Sequence, residues 1–309
     1  QAHQRGQRRQ PVRVQRLGAA AAGRRRAAPH ARLERRHQRL ELRAARLLRP
    51  GLRVPSEAER ELAPCVEVTL EVLGVHIDGG MRQEIVVPAN KLHQSDQLTL
   101  EQLALVETLG IGAHAVDRSG VTDGEDVLVI GAGPIGLAVT QFARIAGGRV
   151  AVLDINPRRL AFCRDLFGVG RTILSGEDGR EPIEQVTEAF GGELPTAVFD
   201  ATGFPPSMNA AFDLTGSGGR LTMVSLVQAD ITFNDPEFHR KELTIFATRN
   251  STASDFRRII SLIESGTADT TPWITHRAGF DDMIGEFENW LDPEFGVIKA
   301  MVEVGQGPR

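Results

Sequence analysis

The chain has 309 residues, 41% of them hydrophobic and 25% charged, with 32 glycines and a formal net charge of -4. This composition excludes disorder over most of the length and leaves room for two domains of ordinary size. The longest apolar runs, Val127 to Ile130 and Val150 to Leu153, are strand-length, which excludes a bilayer helix of about 20 residues. Two cysteines, Cys65 and Cys163, form no C-x-x-C pair, so neither a disulfide framework nor a cysteine-built zinc cluster can be assembled, and a reducing, cytoplasmic setting is expected.

Residues 1–60 carry 17 arginines, no lysine, four acids (Glu34, Glu41, Glu57, Glu59) and no aromatic residue. They lack the apolar periodicity that offsets the cost of ordering a backbone, so residues 1–64 are expected not to fold by themselves. Three readings stay open. Clustered arginine is the footprint of a polyanion-binding arm, although charge runs are mostly solvated faces and nucleic acid is not the expected partner. Acid-poor, Arg-rich N-termini occur in transit segments, but those are also serine-rich and no serine precedes Ser56. Finally, 33 arginines against three lysines suggest a GC-rich gene, and such a gene read out of frame yields Arg, Ala, Pro and Gly; a shifted frame up to about Pro64 accounts for the segment.

From Cys65 the character changes. Alternating apolar residues in Glu67-Val68-Thr69-Leu70-Glu71-Val72-Leu73, and again in Ile85-Val86-Val87 before Pro88, predict short strands, with turns at Gly74, Gly79 and Gly80. Residues 100–114 read as a helix with Leu103, Val106 and Ile111 among its apolar positions.

Asp126-Val127-Leu128-Val129-Ile130 is a buried-strand pattern that runs into Gly131-Ala132-Gly133-Pro134-Ile135-Gly136 and then a helix over residues 137–146. In strand, G-x-G-x-x-G, helix, each glycine has a physical task. Gly131 makes the tight turn, Gly133 lets the main chain approach a pyrophosphate, and Gly136 permits close packing of helix on strand. The free N–H groups of the helix N-terminus then favour the anion without a basic side chain. Pro134 and Ile135 lie in the same turn.

A second strand, Arg149 to Leu153, ends at Asp154, eighteen residues past the third glycine and followed by Ile155. A carboxylate there accepts hydrogen bonds from both ribose hydroxyls and repels a 2'-phosphate, which favours NAD over NADP. Arg158 and Arg159 lie close behind, and pairing of such an arginine with that phosphate keeps NADP open. Helix capping is the alternative role for Asp154, but Asn156-Pro157 already supplies a helix start, with Gly168 as its stop. Alternation continues through strand 196–200 into Ala201-Thr202-Gly203, helix 206–214, strand 220–224 ahead of Ser225, and strand 243–248. This predicts an α/β fold with a doubly wound parallel sheet, ligands at the carboxyl ends of its strands, and Ala201, Thr202 and Ser225 among the cofactor's neighbours. Residues 255–265 place Phe256, Ile259, Ile260 and Ile263 on one helical face closed by Gly266, which is core packing. Cys163 reads as a small buried residue of the cofactor domain.

With these pieces placed, residues 65–309 resemble the zinc-type, medium-chain alcohol and polyol (sorbitol-like) dehydrogenases. The runs that carry the resemblance are Gly74-Val75-His76-Ile77-Asp78-Gly79-Gly80 with Val86-Val87-Pro88-Ala89, Ala104-Leu105-Val106-Glu107 with Gly110-Ile111-Gly112-Ala113-His114-Ala115, Gly124 to Val129, and Gly296-Val297-Ile298-Lys299-Ala300. The resemblance implies a Rossmann cofactor domain over residues 121–250, and a partial, mostly β catalytic domain split between 65–120 and 251–309. It also implies a homodimer or homotetramer in which residues 243–250 form an edge strand, a small alcohol or polyol substrate, and hydride transfer to NAD beside a catalytic zinc. Glu107 matches the family's acidic residue near that zinc and is the one catalytic and metal candidate. The family's first cysteine ligand and its Gly-His-Glu motif belong in the region of residues 1–64, which contains no cysteine and no His-Glu pair, so the ligand set is incomplete. His76 and His114 read as packed residues, without a catalytic role.

Overall fold

A computed structural model describes residues 72–305 apart from His76 and Gln83. The segment 1–64, residues 67–71 of the strand expected over 67–73, and His76 lie outside the described residues, and Leu73 forms an isolated bridge with Ile77. Six strands form one parallel sheet: β1 (Asp126–Ile130), β2 (Arg149–Asp154), β3 (Arg171–Leu174), β4 (Ala197–Asp200), β5 (Arg220–Met223) and β6 (Thr244–Ala247), in the order β3-β2-β1-β4-β5-β6. The helices are α1 (Leu100–Ser119), α2 (Pro134–Ile145), α3 (Pro157–Phe167), α4 (Pro182–Ala189), α5 (Pro205–Ala210), α6 (Asp235–Arg240), α7 (Ala253–Glu264) and α8 (Met283–Leu291). A separate parallel pair joins β7 (Ile274–Gly279) to β8 (Lys299–Glu303). Among the described residues no helix is long and apolar enough to cross a membrane.

The central strands are apolar on both sides because both sides are covered, the usual condition of a parallel sheet. Val127 and Val129 of β1 join Val150, Val152 and Phe199 in one apolar layer, with Leu105, Leu109, Leu137, Phe142 and Ile259 from the helices. Leu128 and Ile130 join Leu153, Val198 and Leu221 in the other, with Val186 and Met208. Strand β1 sits between β2 and β4, where the strand order reverses, so its carboxyl end opens a crevice at the topological switch point.

Helix α1 runs five residues beyond the expected end. Thr99 closes a capping box with Gln102 at its start, and Gly120 terminates it at φ 68°. The two late glycines, Gly110 and Gly112, are packing positions. A Cβ on Gly112 would lie 2.5 Å from the Ala138 backbone of α2, and one on Gly110 would lie 2.7 Å from Ser251 Oγ. Burial against these neighbours outweighs glycine's intrinsic cost to a helix of about 1 kcal/mol. Residues 85–87 form no strand: among the described residues nothing pairs with them, Val86 is 97% exposed, and an unpaired extended run has no ladder to hold it. Helix α2 begins at Pro134, inside the glycine motif, because proline is preorganised for the first helical position. Helix α5 ends at Ala210 instead of continuing to 214.

Candidate dinucleotide site

The glycine turn has the geometry its sequence requires. Gly131 sits at φ 95°, donates its N–H to the Leu153 carbonyl at 2.8 Å, and would place a Cβ 3.1 Å from Thr202 Cγ2. A Cβ on Gly136 would lie 1.7 Å from the Gly131 carbonyl oxygen, so only glycine lets α2 come down on the turn. Gly133 is the N-cap of α2 and makes no side-chain cap. A Cβ there would meet only Arg159 Nη1, at 4.0 Å. The first turn of α2 therefore presents uncapped N–H groups toward open space, the arrangement that receives a phosphate.

A cavity of about 600 Å3 lies over this turn, within the range of small-molecule sites. Its lining includes Gly131, Gly133, Pro134, Ile135, Asp154, Ile155, Arg159, Ala201 and Thr202, so nine of the sequence-derived candidates share one space. Gly136 lies beneath it as a packing residue. Ser225 is not part of this lining; its Cβ stands 3.7 Å from where a Gly203 Cβ would be. A second cavity, of about 730 Å3, lies at the opposite edge of the sheet, lined by Gly124, Asp126, Arg149 and Lys241 among others. Several of its ionic groups are already engaged. Asp126 pairs with Arg149 at 2.7 Å, and the Lys241 ammonium donates to the carbonyls of Asp213 and Thr215. The carboxyl-end cavity is the site that the topology favours.

Asp154 is 7% exposed at the end of β2. Its Oδ2 accepts from the Ala132 N–H at 2.5 Å and its Oδ1 from the Asn156 N–H at 2.7 Å. Each carboxylate oxygen keeps a further lone pair for a ligand hydroxyl. Helix α3 is capped by Asn156, which accepts from the Arg158 and Arg159 N–H groups, so Asp154 is not needed as a cap. Arg158 is turned away, with Nη2 2.6 Å from a Glu294 carboxylate oxygen and Nη1 donating to the Glu294 carbonyl. Arg159 remains beside the glycine turn. Ile155 is 80% exposed on the cavity wall.

On the opposite wall, Asp200 and the residues after Gly203 went unread in the sequence. Asp200, at the end of β4, is fully buried and accepts from the Thr202 N–H at 3.0 Å, the Thr202 hydroxyl at 2.8 Å and the Ser207 hydroxyl at 2.8 Å. Burial pushes its carboxyl above the ordinary value despite these bonds. Phe204, Pro206 and Ser207 line the cavity next to it. The available signal was a charged residue ending an apolar strand ahead of Thr202-Gly203.

Glu107 is an exposed residue of α1, and among the described residues no group of three or more His, Cys, Asp or Glu side chains is arranged to hold a metal. These residues do not fit a tetrahedral zinc, which needs three protein ligands and an open position. His114 is packed as expected, 3% exposed, with Nδ1 3.4 Å from an Asp255 carboxylate oxygen. Burial raises the Asp255 carboxyl, but hydrogen bonds from His114 and Thr252 outweigh it and hold the group below its ordinary value. Cys163 is fully buried in α3, where burial first and the charge of Asp154 second push its thiol up to about 12.

Comparison with known proteins agrees with this geometry. A family model described as zinc-binding dehydrogenase matches residues 134–265. The chain is 35% identical over 233 residues to L-galactonate-5-dehydrogenase of Escherichia coli strain K12, covering 75% of this chain and 68% of that protein. It is 32% identical over 217 residues to D-xylulose reductase of Scheffersomyces stipitis, covering 67% and 59%. A crystal structure of an alcohol dehydrogenase from Escherichia coli CFT073 with bound NADH superposes with a TM-score of 0.68 at 28% identity, covering 75% of this chain and 68% of that one. The chain thus spans between 59% and 68% of the length of these relatives. With the glycine turn, the buried Asp154 and the switch-point cavity on one sheet, the chain belongs to the zinc-type medium-chain polyol dehydrogenases.

Proposed function

We propose that the chain binds NAD in the cavity at the carboxyl ends of β1, β2 and β4, and acts as an NAD-dependent dehydrogenase on a secondary alcohol of the polyol or sugar-acid class. Residues 121–250 are the cofactor domain, residues 65–120 and 251–309 belong to a split catalytic domain, and residues 1–64 are assigned to neither. The observation that carries the reading is Asp154, a buried carboxylate lining the same cavity as the uncapped N-terminus of α2.

The free lone pairs of Asp154 accept from the two ribose hydroxyls, and its charge opposes a 2'-phosphate. The N–H groups of Ile135 and Gly136 take the pyrophosphate, and Arg159 adds positive charge beside Gly133. Exposed Ile155 and Phe204 offer apolar faces to the flat base. NAD, when bound, supplies the acceptor for the hydride leaving the alcohol carbon. The edge strand β6, with Ile245 46% exposed, pairs across a two-fold axis and makes the protein a dimer or tetramer. A cytoplasmic setting suits a chain with only two cysteines, so far apart in sequence.

A second reading is favoured by residues 1–64, which contain no cysteine and no His-Glu pair. It makes the chain an NAD-binding module that does not transfer hydride. Metal content per chain, measured together with NAD calorimetry on wild type and Gly133→Leu, separates the two. NAD binding lost in the variant and about one zinc per wild-type chain support the dehydrogenase. NAD binding without zinc supports the module, and wild type that binds no NAD overturns both.

A further inference from the structure

We infer that Asp200 is a positioning residue for the cofactor: from full burial it fixes the wall of the cavity formed by residues 201–207. The inference rests on the reading that this cavity takes NAD.

Strand β4 is locked at its end by backbone bonds. The Ala201 N–H reaches the Ile130 carbonyl at 2.9 Å, and the Val224 N–H reaches the Asp200 carbonyl at 3.0 Å. Beyond that point the chain leaves the sheet and has no ladder to hold it. The Asp200 carboxylate replaces the ladder. One oxygen takes both donors of Thr202 and the other takes the Ser207 hydroxyl, five residues further on. Thr202 Oγ1 in turn accepts from the Phe204 N–H at 3.1 Å. Four residues of the wall, Thr202, Phe204, Pro206 and Ser207, are thereby set by one buried group and its bonded neighbours.

Placement of this wall decides the space above the glycine turn. The Thr202 Cγ2 and the Ala201 backbone stand 3.1 and 3.2 Å from the position of a Gly131 Cβ, so the wall already touches the turn and has no slack toward it. Loss of the three bonds frees it to move outward. Asp154 on β2 and Asp200 on β4 then act as a pair. Each ends a strand flanking β1, and each ties the next loop to the sheet by accepting hydrogen bonds from it.

The chemistry predicts which variants keep the function. Asn at 200 retains one carbonyl oxygen for the two Thr202 donors, and its amide can donate to Ser207 Oγ, because a hydroxyl accepts as well as donates. Ala retains nothing. The test is NAD affinity by calorimetry on the full chain for wild type, Asp200→Asn, Asp200→Ala and Gly133→Leu, with circular dichroism to establish folding. The expected result is a loss of roughly tenfold or more in Asp200→Ala, by loss of charge-assisted bonds, and affinity within about threefold of wild type in Asp200→Asn. Unchanged affinity in Asp200→Ala, or an equal loss in Ala and Asn, overturns the inference. Should the Ala variant not fold, Thr202→Val takes its place: weakened NAD binding in a folded protein supports the inference, and unchanged binding overturns it. Gly133→Leu binding NAD like wild type points instead to failure of the cavity reading.

Discussion

Replacement of Asp154 by Asn tests the ribose reader and the wiring beneath it at once. Both carboxylate oxygens accept from backbone N–H groups, Ala132 at 2.5 Å and Asn156 at 2.7 Å, and Ala132 is fully buried. An amide accepts at only one of its two ends, so one of these N–H groups must face an NH2. An unsatisfied buried donor costs about 1–3 kcal/mol, which lowers the melting temperature by roughly 3–10 °C for a chain of this size. In binding, loss of the charged acceptor of the ribose hydroxyls costs about 1.5–3 kcal/mol, a fall in NAD affinity of roughly ten- to a hundredfold. NADP loses less, because the charge opposing its phosphate is gone, so the ratio of NAD to NADP affinity falls by about tenfold or more. Calorimetry with both nucleotides and a thermal melt read the two effects separately. An unchanged NAD to NADP ratio would falsify the ribose assignment, and an unchanged melting temperature would refute the account of the two backbone bonds.

Three further outcomes are expected. Burial raises the Glu125 carboxyl, but Arg220, which bonds both its oxygens at 2.7 Å, and Thr196 outweigh it and hold the group at about 2. Its depressed value contributes stability that is complete above 4.5 and is lost as pH falls toward 2, at most about 3 kcal/mol. The stability gap between wild type and Glu125→Gln therefore closes over that window, and a gap constant from pH 6 to pH 3 contradicts the ion pair. Gly136→Ala places a methyl 1.7 Å from the Gly131 carbonyl oxygen; loss of NAD binding with destabilisation of about 2 kcal/mol or more is expected, and a fully active variant refutes the close packing. Cys163, fully buried with its thiol raised to about 12, should stay unmodified by a thiol reagent at pH 8 until the protein is unfolded, as peptide mass mapping would reveal.

The cofactor half was legible because its chemistry is local. Gly131, Gly133 and Gly136 are required by turn and packing within six residues, and Asp154 follows from the strand beside them. Asp200 was not legible in the same way. Its partners Thr202 and Ser207 are near in sequence, but the reason for burying a carboxylate there appears only when β4 is placed beside β1. Ser225 follows a strand end, and that position alone does not say whether its side chain faces the cavity. The glycines of α1 carry no visible purpose in the sequence, because that purpose, room for Ala138 and Ser251, lies on elements distant in sequence. Glu107 rests on resemblance alone, and its geometry gathers no companions among the described residues.

The contact at Gly112 has a mechanical meaning. With the Ala138 backbone occupying the space a side chain would fill, α1 and α2 approach backbone to backbone at this point. They form a single strut, one end at Leu100 and the other at the turn where Gly133 begins α2. A side chain introduced at Gly112 therefore wedges α1 away from the helix whose first turn forms the glycine turn, so its effect is felt at Gly133 although the two positions lie on different elements.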